Sequence, residues 1–118
     1  MPYVDGFVLA VAKRKLQKYR DMARVGKRLW MKHGALDYHE CVAEDLKPAY
    51  GVPFHKMMKV KAGETVVFSW IVFKSRAHRD KVNAAVMKDP VMNTFDPKDM
   101  PVDMKRMVYG GFASIVDA

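Results

Sequence analysis

The chain has 118 residues, half of them hydrophobic and 29% charged, with a net charge of +8 and one cysteine, Cys41. That length fits a single domain, residues 1–118, with enough core to stand without covalent staples. One cysteine excludes an internal disulfide and a cysteine-built metal site and fits a reducing, cytoplasmic setting. The longest apolar run, VVFSWIVF, is far short of the ~20 residues that span a bilayer, so no membrane insertion is expected. The start of the chain places its basic residues after the apolar run, the reverse of a secretory signal.

Residues 3–12, YVDGFVLAVA, are rich in valine and aromatics and predict a strand. A helix follows. Ala12, Leu16, Tyr19, Ala23, Gly26 and Trp30 recur at the 3.6-residue period, with Met22, Leu29 and His33 beside them. Gly34 stands where a left-handed residue ends a helix. This segment also carries the charge: residues 13–32 hold nine Lys and Arg against Asp21, and the other 12 basic and 12 acidic residues cancel. Residues 35–45, ALDYHECVAED, alternate as a second strand. Residues 46–64 are punctuated by Pro48, Gly51, Pro53 and Gly63 and predict a loop with one helical turn near 54–59.

The third strand, TVVFSWIVF at 65–73, is apolar on both parities. Val66, Phe68, Trp70 and Val72 point one way; Val67, Ile71 and Phe73 point the other. Ser75 fits an N-cap, and residues 76–89 continue as a helix with His78, Val82, Ala85, Val86 and Asp89 on one stripe, stopped by Pro90. A proline-punctuated connection leads to a fourth strand over 105–116, where Gly110-Gly111 marks a bulge or a close backbone approach.

The order strand, helix, strand, strand, helix, strand is that of a ferredoxin-like α+β fold, βαββαβ, with a four-stranded antiparallel sheet and two helices on one face. Two helices cover only one face. An antiparallel strand facing water alternates cleanly, and the third strand does not. Its second apolar face requires cover, and a second copy of the chain, sheet to sheet, supplies it most simply. The pattern therefore predicts a homodimer through the sheet face.

Several strings also resemble a known bacterial family: YVDGFV at 3–8, HGAL at 33–36, EC at 40–41, VVFSWI at 66–71, RD at 79–80 followed by Asn83, DP at 89–90, MP at 100–101 and KRMVYGGF at 105–112. Together they resemble the domain of unknown function 1428, end to end. The resemblance implies a dimeric α+β barrel of ferredoxin-like subunits and no established activity. Relatives in that superfamily include small cofactor-free enzymes that bind ligands between sheet and helices, and this remains an analogy of fold.

Two acids stand on apolar strand parities. Asp5 accompanies Tyr3, Phe7 and Leu9; Glu40 accompanies Leu36, Tyr38 and Val42. A half-buried carboxylate needs a partner, and burial raises its pKa towards the range of a general base. Arg106, on the strand expected beside the first, is the partner expected for Asp5, in a structural pair or a catalytic one. His78 faces the sheet and is either a base or a packed histidine with one nitrogen satisfied. Arg76 and Arg79 at the same helix start make either an anion site or, through Arg76 and Asp80, a surface pair.

Tyr38, Trp70 and Tyr109 line either an aromatic pocket or an interface. Met57-Met58 read as adaptable cover for a pocket. Cys41 has no activating neighbour in sequence and reads as a buried thiol. The histidines have no metal spacing, so neither a metal nor a cofactor is expected.

Two functions are open on this reading. One is a small organic ligand held between sheet and helices by Tyr38, Glu40, Trp70, Arg79, Arg106 and Tyr109, with Asp5 or His78 as base. The other is a polyanion, nucleic acid included, held by Arg20, Arg24, Lys27 and Arg28 of the first helix, whose like-charge neighbours lower helix stability. A purely structural dimer, or a basic face kept only for solubility, explains the same residues without function.

Overall fold

Two long central strands organise the molecule. In the computed structural model, which describes residues 1–47 and 49–118, β1 (Tyr3–Ala12) pairs antiparallel with β3 (Glu64–Phe73) over their full length. β2 (Asp37–Val42) flanks β3 and β4 (Val108–Ala113) flanks β1, giving the order β2-β3-β1-β4. α1 (Leu16–Lys32) and α3 (Arg76–Lys88) cover one face of this sheet. The fold is ferredoxin-like α+β, as the order of elements predicts. Pro48, one of the loop markers, lies outside the described residues.

Register decides which side chains meet the helices. Tyr3, Asp5, Phe7, Leu9 and Val11 of β1 share a face with Val67, Ser69, Ile71 and Phe73 of β3. Their core divides in two. Leu9, Val11 and Val67 pack under Tyr19 and Ala23 of α1, while Ile71 and Phe73 pack under Leu29 of α1 and Val82 and Val86 of α3.

The helices begin and end for local reasons. Ser75 Oγ accepts the His78 N–H at 3.1 Å and starts α3. Gly34 takes φ 112° after α1, where a side chain would be strained. Asp89 then joins the C-terminal ends of the two helices. It accepts Val91 N–H at 2.9 Å, His33 Nε2 at 2.7 Å and Lys32 Nζ at 3.0 Å, and these contacts hold its carboxyl well below the usual range. The basic helix starts later than the charge pattern predicts, because Lys13–Lys15 form a separate 3-10 turn.

The opposite face is only partly covered by the chain itself. The segment after β2 folds back over one end: Met58 is buried against Val8 and Val66, and Phe54 of α2 (Phe54–Met57) stands edge-on to Phe68, 5.9 Å between centroids. Phe68 beside that segment, and Val108 and Phe112 away from it, stay 43%, 50% and 62% exposed, an apolar surface on the open sheet face.

Two expectations change, and a third is decided between its alternatives. The fourth strand is shorter than 105–116, because Asp103 caps a 3-10 turn at Met104–Arg106 by accepting Lys105 N–H. The strand carries no bulge at Gly110-Gly111: the pairing runs unbroken through Gly6↔Gly110 and Asp5↔Gly111. The glycines serve close approach instead, with the Tyr3 ring lying where a Gly111 Cβ would be. Met57-Met58 do not cover a ligand pocket. Met58 is 4% exposed in the core and Met57 is 50% exposed.

Candidate functional site

Between the sheet and the two helices lies a cavity of about 400 Å³. Asp5, Phe7, Tyr38, Glu40 and Tyr109 rise into it from the strands, and Trp30 and Asn83 come from α1 and α3. Most of its remaining wall is methionine, beside Ala23, Gly26 and Phe95: Met22 and Met87 come from the helices, and Met92, Met100, Met104 and Met107 from the connection between α3 and β4. Methionine is flexible and polarisable, and suits a wall that must fit an irregular apolar guest. Tyr109 stacks on Phe7 at 5.3 Å and closes the β4 side.

Asp5 is 2% exposed and is held by α3. Arg79 Nη1 donates to Asp5 Oδ1 at 2.7 Å, Arg79 Nε donates to Asp80 at 2.7 Å, and the guanidinium lies over the Tyr3 ring. Trp30 Nε1–H donates to Asn83 Oδ1 at 3.0 Å, which turns the Asn83 amide nitrogen towards Asp5. Burial raises the Asp5 carboxyl above its ordinary value even so, because one guanidinium and one amide replace only part of the lost water shell. An acid of that kind, on a cavity wall, can exchange a proton with a bound hydroxyl or amine.

Glu40 makes a different arrangement. Tyr19 donates its hydroxyl to Oε1 at 2.6 Å and Tyr38 donates to Oε2 at 2.7 Å. Burial, and then the adjacent carboxylate, push both phenols well above the usual tyrosine range, so they stay protonated donors. The Tyr38 hydroxyl reaches this position beneath α1 because residue 26 is glycine. A Cβ there would come within 2.9 Å of it.

The candidates of the sequence are thus divided. Asp5, Glu40, Tyr38 and Tyr109 come together in the cavity, and Arg79 stands behind Asp5. Trp70 does not join them: it lies on the open sheet face, stacked on His39 at 4.7 Å. Arg106 is not the partner of Asp5. It forms a two-point pair with Glu64, at 3.0 and 2.5 Å, and reaches Asp103 at 3.1 Å, because its turn packs against the start of β3 and not beside Asp5.

His78 is not among the cavity-lining residues. Its Nδ1 accepts Lys74 N–H at 3.0 Å and its ring stands edge-on to Phe73. Arg76 and Asp80 do not form the expected pair, since Asp80 is taken by Arg79. Cys41 is exposed, not buried, because β2 is an edge strand. Among the described residues no three His, Cys, Asp or Glu side chains gather as metal ligands.

Sequence reasoning missed Trp30, Asn83 and the methionines. A signal existed. Four of the ten methionines stand at 92, 100, 104 and 107, three of them in a stretch read as a plain connection and the fourth near the start of the expected last strand.

The family described as Protein of unknown function (DUF1428) matches residues 2–104. The chain belongs to this family. It is 45% identical to the uncharacterised protein YbaA of Escherichia coli K12 over 117 residues, 99% of each chain, and equally to YbaA of Shigella flexneri. Two solved structures share the fold. One is a dimeric ferredoxin-like protein from an uncultured marine organism, with TM-score 0.61, 13% identity and 100% of both chains covered. The other is an uncharacterised NIPSNAP domain protein from Burkholderia xenovorans, with TM-score 0.59, 11% identity, and 98% and 97% covered. No helix among the described residues is long and apolar enough to cross a membrane.

Proposed function

We propose that this DUF1428 protein is a small cytoplasmic homodimer that binds a small organic molecule in the methionine-lined cavity. The guest is apolar over most of its surface and offers a hydroxyl or amine to Asp5. One observation carries this reading: a cavity of about 400 Å³, in the size range of ligand sites, has apolar walls and a buried carboxylate with raised proton affinity. Asp5 is the proposed base. His78 is set aside, since its Nδ1 is engaged by the backbone and it does not line the cavity.

The homodimer is supported by the exposed Phe68, Val108 and Phe112 on the open sheet face, and by the shared fold of the dimeric ferredoxin-like protein from the uncultured marine organism. Native mass spectrometry of freshly purified protein tests both parts. A dimer carrying an added organic mass, lost in Asp5→Asn or in Met100→Trp with the dimer intact, is expected. A dimer that takes up no small molecule from a broad metabolite extract rejects the cavity reading.

A second reading has one observation in its favour. Among the described residues no acid lies closer than 3.9 Å to Arg20, Arg24, Lys27 or Arg28, the nearest pair being Arg24–Asp21. Affinity for RNA that falls steeply with salt, and vanishes on charge reversal of those residues, would establish it.

A further inference from the structure

Three of these four basic residues do not merely coat the helix. Arg20, Arg24 and Lys27 stand at i, i+4 and i+7 of α1, on the flank facing the β2 edge, and there they line a second cleft of about 250 Å³. Leu16, Ala23, Val42 and Val67 form its apolar floor, and Tyr19, Tyr38 and Glu40 stand at its inner end. Arg28 is outside it. A face selected only for solubility needs no concavity, and a phosphate backbone needs a long track, not an apolar floor.

The cations are free to act. Arg20 has a neutral side-chain partner, Gln17 Oε1 at 3.2 Å, and Arg24 reaches Asp21 only at 3.9 Å. Lys27 has no acidic partner among the described residues. By contrast, Lys18 and Lys32 on other sides of the helix are paired with Asp99 and Asp89. Glu40, the carboxylate of the cleft, is turned inward, with both oxygens taken by tyrosine hydroxyls. Positive charge therefore lines the cleft over an apolar floor, and negative charge lies at its inner end already hydrogen-bonded.

We infer that this cleft is a separate site for a small amphipathic anion, a carboxylate, sulfonate or phosphate monoester on a compact apolar body. The anionic head meets Arg20, Arg24 and Lys27, and the body covers Ala23, Val42 and Val67. The two cavities share Ala23, Tyr38 and Glu40, and so lie on either side of α1 and meet beneath it. The inference stands independently of what the methionine-lined cavity holds.

Naphthoate, a flat apolar body with one carboxylate, is the probe. Titrated at millimolar concentration into isotope-labelled protein, it is expected to shift the methyl signals of Leu16, Val42 and Val67, which line this cleft and not the other cavity. Neutral naphthylmethanol should bind more weakly. Each of Arg20→Gln and Arg24→Gln should weaken naphthoate about tenfold, the loss typical of one charged contact. Arg28→Gln, on the same helix outside the cleft, should leave it unchanged.

Three outcomes would overturn the inference. Equal weakening by Arg28→Gln would show diffuse attraction to the helix. Shifts confined to the methyls of Met92, Met100 and Met107 would place the probe in the other cavity. Tighter binding of an RNA oligonucleotide that depends on Arg28 as much as on Arg24 would make the surface a polyanion face.

Discussion

Asp5 shows what burial does to one carboxylate. Its side chain is 2% exposed, its partner Arg79 is 12% exposed, and its carboxyl lies above the ordinary value of 3.8. A folded-state value above the unfolded one means that the folded protein binds the proton more readily. The ionised carboxylate thus weighs against folding as pH rises through the folded-state value, and its guanidinium offsets much of that. Arg79→Gln removes the offset and strands a buried charge, so a loss of about 3 kcal/mol is expected at neutral pH. The deficit should shrink as pH falls and Asp5 takes up a proton. Urea unfolding of both proteins across the acid range checks this; a deficit that stays constant with pH would mean that Asp5 is not the group left unpaired.

Spacing between elements rests on small residues and paired ends. Gly26 in mid-helix lowers helix propensity by about 1 kcal/mol relative to alanine. It is explained by the Tyr38 hydroxyl, which fits beneath α1 only where no Cβ intervenes. Gly26→Ala is therefore expected to destabilise, by about 1 kcal/mol net, because the displaced phenol loses its bond to Glu40. A stabilised variant in thermal or urea unfolding would show that helix and strand have room to spare.

The Arg106–Glu64 pair joins the turn before β4 to the start of β3. The Arg106 guanidinium, then the Lys61 N–H, lower Glu64 from 4.5 to about 2. A depressed carboxylate stabilises the fold fully above 4.5 and loses that contribution as pH falls towards about 2. Arg106→Gln should flatten the fall in urea midpoint across that window. Parallel curves for the two proteins would show that the pair adds nothing in solution.

Over the whole molecule, one sheet face is closed by two helices and the other is half closed by the loop after β2. Phe112 lies over Gly6 and Gly110 at the open end and is 62% exposed. Phe112→Glu places a charge where a second copy would pack, and should convert the proposed dimer to monomer in sedimentation velocity while far-ultraviolet dichroism stays unchanged. A wild-type protein that sediments as a monomer at micromolar concentration would remove the dimer and leave the apolar face without a role.

The local code was sufficient for the architecture. Valine-rich runs, a 3.6-residue stripe, Ser75, Gly34 and Pro90 define the elements and their order, because caps, turn residues and periodicity act over a few neighbouring positions. That order, with a third strand apolar on both parities, also determined the fold class and which acids share a face with the core. The tertiary structure decided what those acids meet. Arg79 and not Arg106 reaches Asp5, and Trp30 rather than Trp70 faces the cavity, because partners from different elements are chosen by sheet register and helix placement, which no local spacing encodes. The methionine wall and the cleft beside α1 belong to the same class of fact: each is lined by side chains from separated segments, and exists only once the chain has brought them together.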